Sequence, residues 1–202
     1  PLERQPLLFS ATMPGPIHRL ARRYLKDPAW IQVGGDGEPV EGVTQRYYEV
    51  ADRDRPTALE ELLRQPGVIT QALVFRRTKV GVDMLVSHLQ KREHDVQAIH
   101  GDMTQAHRDR VMGRFRSGDL RVLVATNVAA RGLDIPAVSH VINYDMPGNL
   151  EEYVHRIGRT ARMGRHGTAI TFVSEWDFPA LDIIQAHIGD GLERAILEPA
   201  TN

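Results

Sequence analysis

Short apolar runs alternate with amphipathic stretches along most of the chain. The runs predict strands at Leu7–Phe9, Trp30–Val33, Val43–Val50, Ala72–Phe75, Val96–Ile99, Val122–Ala125, Val138–Tyr144 and Thr168–Val173. The stretches between them predict helices at Ile17–Leu25, Thr57–Leu63, Val80–Lys91, Gln105–Phe115, Leu150–Ile157 and Phe178–Ile188. Strands that alternate with helices indicate an α/β fold, a parallel sheet covered by helices.

One seam interrupts this pattern. The run Gly34–Pro39 is rich in glycine and contains little that could be buried, which predicts a linker. The residues before the seam are too few for a domain, whereas those from about Val43 onward carry enough alternating elements for a complete one.

Composition narrows the function classes. The 202 residues are 42% hydrophobic and carry a formal net charge of -1, so the overall charge gives no reason to expect nucleic acid or an anionic membrane. The chain has no Cys, which excludes disulfides, thiol catalysis and a Cys-based zinc site, and its nine His lack metal-ligand spacing. With no basic-then-apolar leader and no run of membrane-span length, we expect a cytoplasmic protein.

The densest chemical signal is the segment Tyr153–Arg165, which carries Arg at every third position from Arg156 onward and no acid among them. While the chain stays helical, this spacing places the guanidinium groups near one face. Clustered cations repel one another, which favours an anion as ligand. A basic face that only improves solubility is the alternative.

A second signal is the strand Val122–Ala125, which ends at Thr126 and Asn127 and leads through small residues to Gly132 and Asp134. Open α/β sheets bind ligands beyond the carboxyl ends of their strands. The alternative is an ordinary helix cap at Thr126 or Asn127. The chain contains neither G-x-x-x-x-G-K-S/T nor G-x-G-x-x-G, so alone it should not hold ATP tightly.

Five motifs in order resemble those of DEAD-box RNA helicases. They are S-A-T at residues 10–12, F-R-R-T-K at 75–79, H-G-D followed by Q-x-x-R at 100–108, A-T-N-V-A-A-R-G-L-D at 125–134 and H-R-I-G-R-T-A-R at 155–162. The resemblance implies a RecA-like parallel sheet with helices on both faces. It also implies that residues 1–33 are the end of a first RecA-like domain, 34–42 an interdomain linker and 43–202 the second RecA-like domain.

The resemblance assigns nucleotide roles to the second half of the chain. Arg159 and Arg162 would reach the γ-phosphate of ATP, with Arg162 as the arginine finger, while Gly132 and Asp134 would bind the nucleotide. Mg²⁺ and most phosphate contacts would come from the first domain. The residues expected to couple the two domains are Ser10, Thr12, His155 and Arg156.

RNA is the implied substrate, held mainly by its backbone, as a helicase that ignores sequence requires. The matching residues are Thr78, Gly101, Gln105, Arg108 and Thr126. Phe75 is expected in the core. The implied function is ATP-gated local unwinding of a duplex, with the isolated fragment inactive; a stand-alone RNA-binding or interaction module and a DNA-directed helicase are the alternatives.

Two positions depart from the family pattern. Asn127 stands where Asp is usual, which removes a charge from any ion pair there. Ala161 stands where Gly is usual, which suits helical backbone but clashes if the position needs a positive φ. We also expect Leu7–Phe9 to lack its sheet neighbours, and a weak dimer through residues 1–33 is a minor hypothesis.

Overall fold

The structure is a computed structural model, and it describes residues 4–10, 13, 15–31, 42–65, 67–130, 135, 138–161 and 166–197. The chain divides into two compact units, residues 1–38 and 39–202. The division lies within the Gly34–Pro39 seam. The predicted assignment of the first unit to another domain stays a prediction.

The first unit contains one helix, α1 (Gly15–Tyr24), within its described residues. Ala21 is fully buried, and the rings of His18 and Trp30 lie 5.0 Å apart. The predicted strand Leu7–Phe9 is wrong: these residues form no strand, and Leu7 and Phe9 are 70% and 90% exposed. Trp30 and Ile31 are not in a strand either, while the rest of the strand predicted there lies outside the described residues.

The second unit is built on a seven-stranded, wholly parallel sheet in the order β3-β4-β2-β5-β6-β1-β7. The strands are β1 (Val43–Glu49), β2 (Ala72–Arg76), β3 (Val96–Ile99), β4 (Val122–Thr126), β5 (His140–Asn143), β6 (Gly167–Val173) and β7 (Leu192–Arg194). The predicted RecA-like α/β class is confirmed. Strand β7 was not predicted, because only Leu192 of its three residues is buried.

The helices cover both faces of this sheet. They are α2 (Arg55–Arg64), α3 (Lys79–Gln90), α4 (Gln105–Ser117), α5 (Asn127–Ala130), α6 (Leu150–Ile157) and α7 (Phe178–Ile188). Alternate strand residues face opposite ways, so Val74 packs in the core formed with α2 and α3, while Leu73 packs in the core formed with α4. Helices α6 and α7 bury Tyr153 and Leu181 against the β1–β6 part of the sheet.

Several helices begin at a residue whose side chain caps the helix. Thr78 accepts a hydrogen bond from the Gly81 amide (3.0 Å) at the start of α3, and Asn149 accepts one from the Glu152 amide (2.8 Å) at the start of α6. Since all strands are parallel, the turns that follow them lie at one edge of the sheet. Among the described helices, none is long and apolar enough to cross a membrane.

Candidate functional site

Three predicted RNA-binding residues lie at the carboxyl edge of three neighbouring strands. Thr126 is the last residue of β4, Gly101 follows β3, and Thr78 follows β2. Thr78 and Gly101 are exposed, whereas Thr126 is buried. The structure therefore brings together residues that are far apart in the chain, and we name them the Thr78–Gly101–Thr126 row.

The hydroxyl of Thr78 can still donate. Its oxygen accepts the Gly81 amide, so its own proton is available for a phosphate oxygen. Next to it, Lys79 forms an ion pair with Asp102, and this hydrogen bond lowers the pKa of Asp102. The pair joins the turn after β3 to the start of α3 and offsets the positive charge of Lys79.

Gln105 and Arg108 lie one turn apart at the start of α4. Gln105 donates to Oδ1 of Asp109 over 2.7 Å. Arg108 is half-buried, and its Nε makes no hydrogen bond with any residue that the structure describes. Thr104 caps the helix by accepting the His107 amide at 3.4 Å. Arg108 thus adds a positively charged side chain at the start of α4, and its role in RNA binding stays a prediction.

The described part of the arginine segment does not stay helical, so the condition for the single basic face that its spacing predicts is not met there. Helix α6 ends at Ile157, with Gly158 as its C-cap. Arg156 is only 3% exposed; it donates to Glu152, to Oδ1 of Asn143 (3.1 Å) and to other groups described below. The prediction is wrong for this residue, because the core supplies acceptors that sequence spacing does not reveal.

Burial lowers the pKa of Arg156 to about 10, although the carboxylate of Glu152 opposes this shift. Its guanidinium also lies over the ring of Phe75, 4.9 Å from the centroid. Phe75 is buried, as predicted. Arg156 therefore ties α6 to the centre of the sheet, and its predicted role in coupling two domains stays a prediction.

Both departures from the family pattern have a structural counterpart. Oδ1 of Asn127 accepts a hydrogen bond from Nε of Arg156 at 2.8 Å, so a charged donor meets a neutral acceptor where the family pattern would give an ion pair. Ala161 has φ of +52°, the left-handed region that favours Gly. The position thus has the geometry for which Ala is the less favourable residue.

The Ala161 turn is fixed on both sides. Thr160 forms an isolated parallel bridge with Val138, and its hydroxyl donates to the Val138 carbonyl. A Cβ on Gly167 would lie 1.9 Å from Oγ1 of Thr160 and 2.8 Å from the Ala161 nitrogen. The close packing of Gly167 at the start of β6 therefore holds the backbone that leads to residues 162–165.

The predicted nucleotide-binding residues are only partly described. Arg159 and His155 are half-buried and, with Arg156, line a small cavity of about 20 Å³. Ser10 is exposed. The other predicted residues, Thr12, Gly132, Asp134 and Arg162, lie outside the described residues. The roles of all these residues stay predictions.

Sequence reasoning missed Asp145, which joins several parts of the site. Its carboxylate accepts hydrogen bonds from Nη1 of Arg76 (2.8 Å) and from the backbone amide of Arg77 (2.6 Å), and its carbonyl accepts Nη1 of Arg156 at 2.9 Å. Asp145 thus connects the buried arginine of α6 with the turn that presents Thr78. Its position just after the β5 strand was the available signal.

Arg55, at the start of α2, completes this network. It donates to Oδ2 of Asp177 (2.6 Å) and to the carbonyl of Tyr144 (2.8 Å), and it contacts Asp145 and Asp52 at 3.5 and 3.0 Å. Within the described ranges, no group of three or more His, Asp or Glu could hold a metal ion. The described residues of this chain therefore offer no ligand set that fits a resident Mg²⁺.

Comparison with known proteins identifies the family to which this architecture belongs. Residues 54–164 match the family model described as "Helicase conserved C-terminal domain". The DEAD-box ATP-dependent RNA helicase CshA of Geobacillus kaustophilus is 44% identical over 203 residues, an alignment that covers all of this chain and 42% of CshA. The chain thus spans less than half the length of the curated relatives it matches.

Solved structures agree. The DEAD-box protein SrmB of E. coli, in a complex with the regulator of ribonuclease activity A, is 40% identical with a TM-score of 0.72, covering 81% of this chain and 98% of the SrmB chain in that structure. Dbp5 of S. cerevisiae, bound to RNA and ADP BeF3, is 34% identical with a TM-score of 0.84, covering 94% of this chain and 51% of Dbp5. The chain therefore belongs to the family of helicase conserved C-terminal domains, in the DEAD-box group of RNA helicases.

Proposed function

We propose that this chain is the second half of an ATP-dependent RNA helicase core, which contributes RNA-backbone contacts and arginines for ATP hydrolysis. The observation that carries the proposal is the Thr78–Gly101–Thr126 row, at one edge of three adjacent strands. Dbp5, which has the same fold, has been solved with RNA and ADP BeF3, and this supports RNA and ATP as ligands.

The row suits an RNA backbone because it offers hydroxyl and backbone donors with little net charge. Such donors recognise phosphate oxygens without reading a base. Arg108 adds a cation with a buried Nε that has no hydrogen bond to the described residues. Binding of this kind is independent of sequence and falls as salt rises.

ATP hydrolysis requires stabilisation of the charge that spreads over the transferring phosphoryl oxygens. Arg159 and Arg162 supply guanidinium groups for this role, and a positioned arginine of this kind changes the rate by about 10³–10⁵. The first domain supplies the phosphate-binding loop and the Mg²⁺ site, and Gly132 and Asp134 bind the nucleotide from this side. Closure of the two domains on ATP and RNA then assembles the site.

The internal contacts of Arg156 and Asp145 link the two ligand surfaces. Arg156 lies beside Arg159 and His155 in the small cavity, while Asp145 holds the Arg76–Arg77 backbone next to Thr78. A shift of α6 on closure would therefore be transmitted to the RNA-binding turn. His155, Ser10 and Thr12 would contact the first domain.

Steady-state ATP hydrolysis with and without RNA tests the proposal. We expect RNA-stimulated turnover from the full-length protein that carries both domains, and none from this chain alone, because it lacks a phosphate-binding loop. Turnover by the isolated chain, or no turnover by the two-domain protein, would contradict the proposal.

The second candidate is a stand-alone RNA-binding or interaction module, which the missing phosphate-binding loop favours. It predicts RNA binding that is unaffected by ATP even when the first domain is present. A DNA-directed helicase would instead show equal stimulation by DNA. A cytoplasmic location and a weak dimer through residues 1–33 belong to the same proposal, and fractionation and sedimentation test them.

A further inference from the structure

A groove of about 590 Å³ lies beyond the Thr78 end of the row, and it has no role in the proposed function so far. It extends from Arg77 and Gly81, next to Thr78, to Trp176 in the turn between β6 and α7. Its floor contains the Arg55, Arg76 and Asp145 network described above. Its volume is in the range of pockets that bind small organic groups.

The charged side chains that line the groove balance one another. The positively charged residues are Arg55, Arg76 and Arg77, and the negatively charged residues are Asp52, Asp145 and Asp177. Asp145 and Asp177 are already paired with these arginines, at 2.8 Å from Arg76 and 2.6 Å from Arg55. A groove without net formal charge does not concentrate phosphate, but it offers both donors and acceptors to a neutral polar ligand.

Two arginine nitrogens in this network have unused donor capacity. Nε of Arg55 and Nε of Arg76 are buried and make no hydrogen bond within the part of the chain that the structure describes. Arg55 as a whole is only 5% exposed. Buried donors of this kind are uncommon, because each one loses its hydration without replacement.

The rim of the groove carries a large exposed aromatic ring on a fixed turn. Trp176 is 79% exposed. The turn is held by Asp177, whose Oδ2 accepts the amide of Ser174 (3.0 Å) and its hydroxyl (2.9 Å). Arg55 fixes the same carboxylate. These contacts fix the backbone that carries Trp176, and an exposed aromatic ring on a fixed backbone is typical of a stacking platform.

We propose that this groove binds a nucleobase of the single-stranded RNA that continues past Thr78, with the base stacked on Trp176 and its polar edge toward the Arg and Asp side chains. The inference rests on the proposed function, since it needs RNA on the row. It adds a base contact to a surface that otherwise holds only backbone. Its chemistry selects a base, because the indole offers a stacking face and the balanced charges do not attract phosphate.

The test compares two RNA lengths in the full 202-residue chain. A short oligouridine covers only the row, and a longer one extends beyond it at both ends. We expect Trp176→Ala to lower the affinity for the longer RNA about tenfold, the order expected for one base stacked on one aromatic ring. The affinity for the short RNA should not change. Trp176→Phe is the matched control and should keep most of the affinity. Trp176 is exposed, so neither change disturbs the core.

A third RNA separates base from phosphate. When the extension carries sugar and phosphate but no bases, its extra affinity should disappear in the wild-type chain. If the abasic extension binds as tightly as the uridine extension, the groove does not bind a base. The same holds if Trp176→Ala lowers the affinity for both RNA lengths equally, or for neither. A protein segment as the occupant would give the same unchanged affinities.

The proposed function is measured separately in the same experiment. Arg108→Ala should lower the affinity for the short RNA and for the long RNA by the same factor. If the wild-type chain binds neither RNA, the proposed function and this inference both fail. If the short RNA binds and responds to Arg108→Ala while Trp176→Ala has no effect on the long one, only the groove assignment fails.

Discussion

Nε of Arg156 donates a hydrogen bond to Oδ1 of Asn127 across 2.8 Å, which joins the last turn of α6 to the start of α5. The acceptor is neutral, although the donor is a buried guanidinium. Glu152 supplies a carboxylate to the other side of the same group. Arg156 is therefore held by one charged and several neutral acceptors.

The first prediction concerns this neutral acceptor. Asn127→Asp should raise the free energy of unfolding by about 1 kcal/mol at neutral pH, because a charged acceptor makes the stronger hydrogen bond to a guanidinium. Arg156 would hold the pKa of the new carboxyl below its unfolded value, so the gain is present above the unfolded pKa and is lost as pH falls through the folded pKa. Urea unfolding at several pH values measures it.

Asn127→Ala is the control for this pair. It removes the acceptor and should cost about 1–3 kcal/mol, since Nε of Arg156 is then buried without a partner. Equal stability of the Asp and Ala variants at neutral pH would show that the contact contributes nothing.

The second prediction concerns the left-handed residue Ala161. Ala161→Gly should stabilise the chain by about 0.5–1 kcal/mol, because the φ of +52° costs an L-residue more than the extra unfolded-state freedom of Gly. The midpoint of urea unfolding checks it. Destabilisation on Ala161→Gly would mean that the turn tolerates Ala without strain.

Gly167→Ala is its counterpart on the facing strand. The added Cβ would meet Oγ1 of Thr160 at 1.9 Å, so the turn or the start of β6 must move. We expect a loss of about 2–3 kcal/mol. A stability equal to that of the original chain would show that the two segments are not packed as described.

The third prediction is a pH dependence from His140, at the start of β5. Burial lowers its pKa from 6.5 to about 4, so the unfolded chain binds a proton that the folded chain does not between these values. Stability should be fully present above pH 6.5 and fall by about 3 kcal/mol as pH drops to about 4. Burial lowers the pKa of His94 as well, which adds a loss of the same sign.

His140→Gln should remove most of this dependence of the free energy of unfolding on pH. His166 is exposed, and His166→Gln should leave the dependence unchanged. Both are measured by urea unfolding between pH 4 and 7. A His140→Gln variant with the original slope would assign the pH dependence to other groups.

The fourth prediction concerns Asp145 as a positioning residue for the RNA-binding turn. Asp145→Asn removes the charge that holds Arg76 and the Arg77 amide, so in the two-domain protein we expect RNA binding to weaken about tenfold, in a binding titration, at unchanged ATP affinity. Asp95→Asn, which changes an exposed partner of Arg114 outside the groove and the row, is the matched control and should have little effect. An equal loss of RNA and ATP affinity would indicate a general structural defect instead.

Sequence patterns predicted the sheet well, because its central strands are continuous apolar runs buried on both faces. Val122–Ala125 differs from the observed strand by one residue. The pattern failed at Leu7–Phe9, since an apolar run becomes a strand only with a hydrogen-bonded neighbour. Helix α5 was missed because four residues are too short for a helical period.

The sequence named candidate ligand-binding residues, whose roles stay predictions, and it missed the side chains that support them from inside the fold. Thr78 and Gly101 were predicted from their match to the family motifs, and the structure places both at the edge where the parallel strands end. The burial of Arg156 was not, since charge in a sequence does not report whether acceptors such as Asn143 face it. Asp145 and Trp176 carry no motif of their own, and only the folded chain shows what they contact.

The central claim is that this chain contributes arginines to ATP hydrolysis, and RNA-stimulated phosphate release by the two-domain protein tests it most directly. Arg162→Ala should reduce turnover about 10³-fold or more while ATP binding stays intact, and Arg159→Ala should also lower it. Arg159→Lys separates charge from the planar guanidinium geometry. Turnover that is unchanged in Arg162→Ala and Arg159→Ala, with RNA bound normally, would contradict the account.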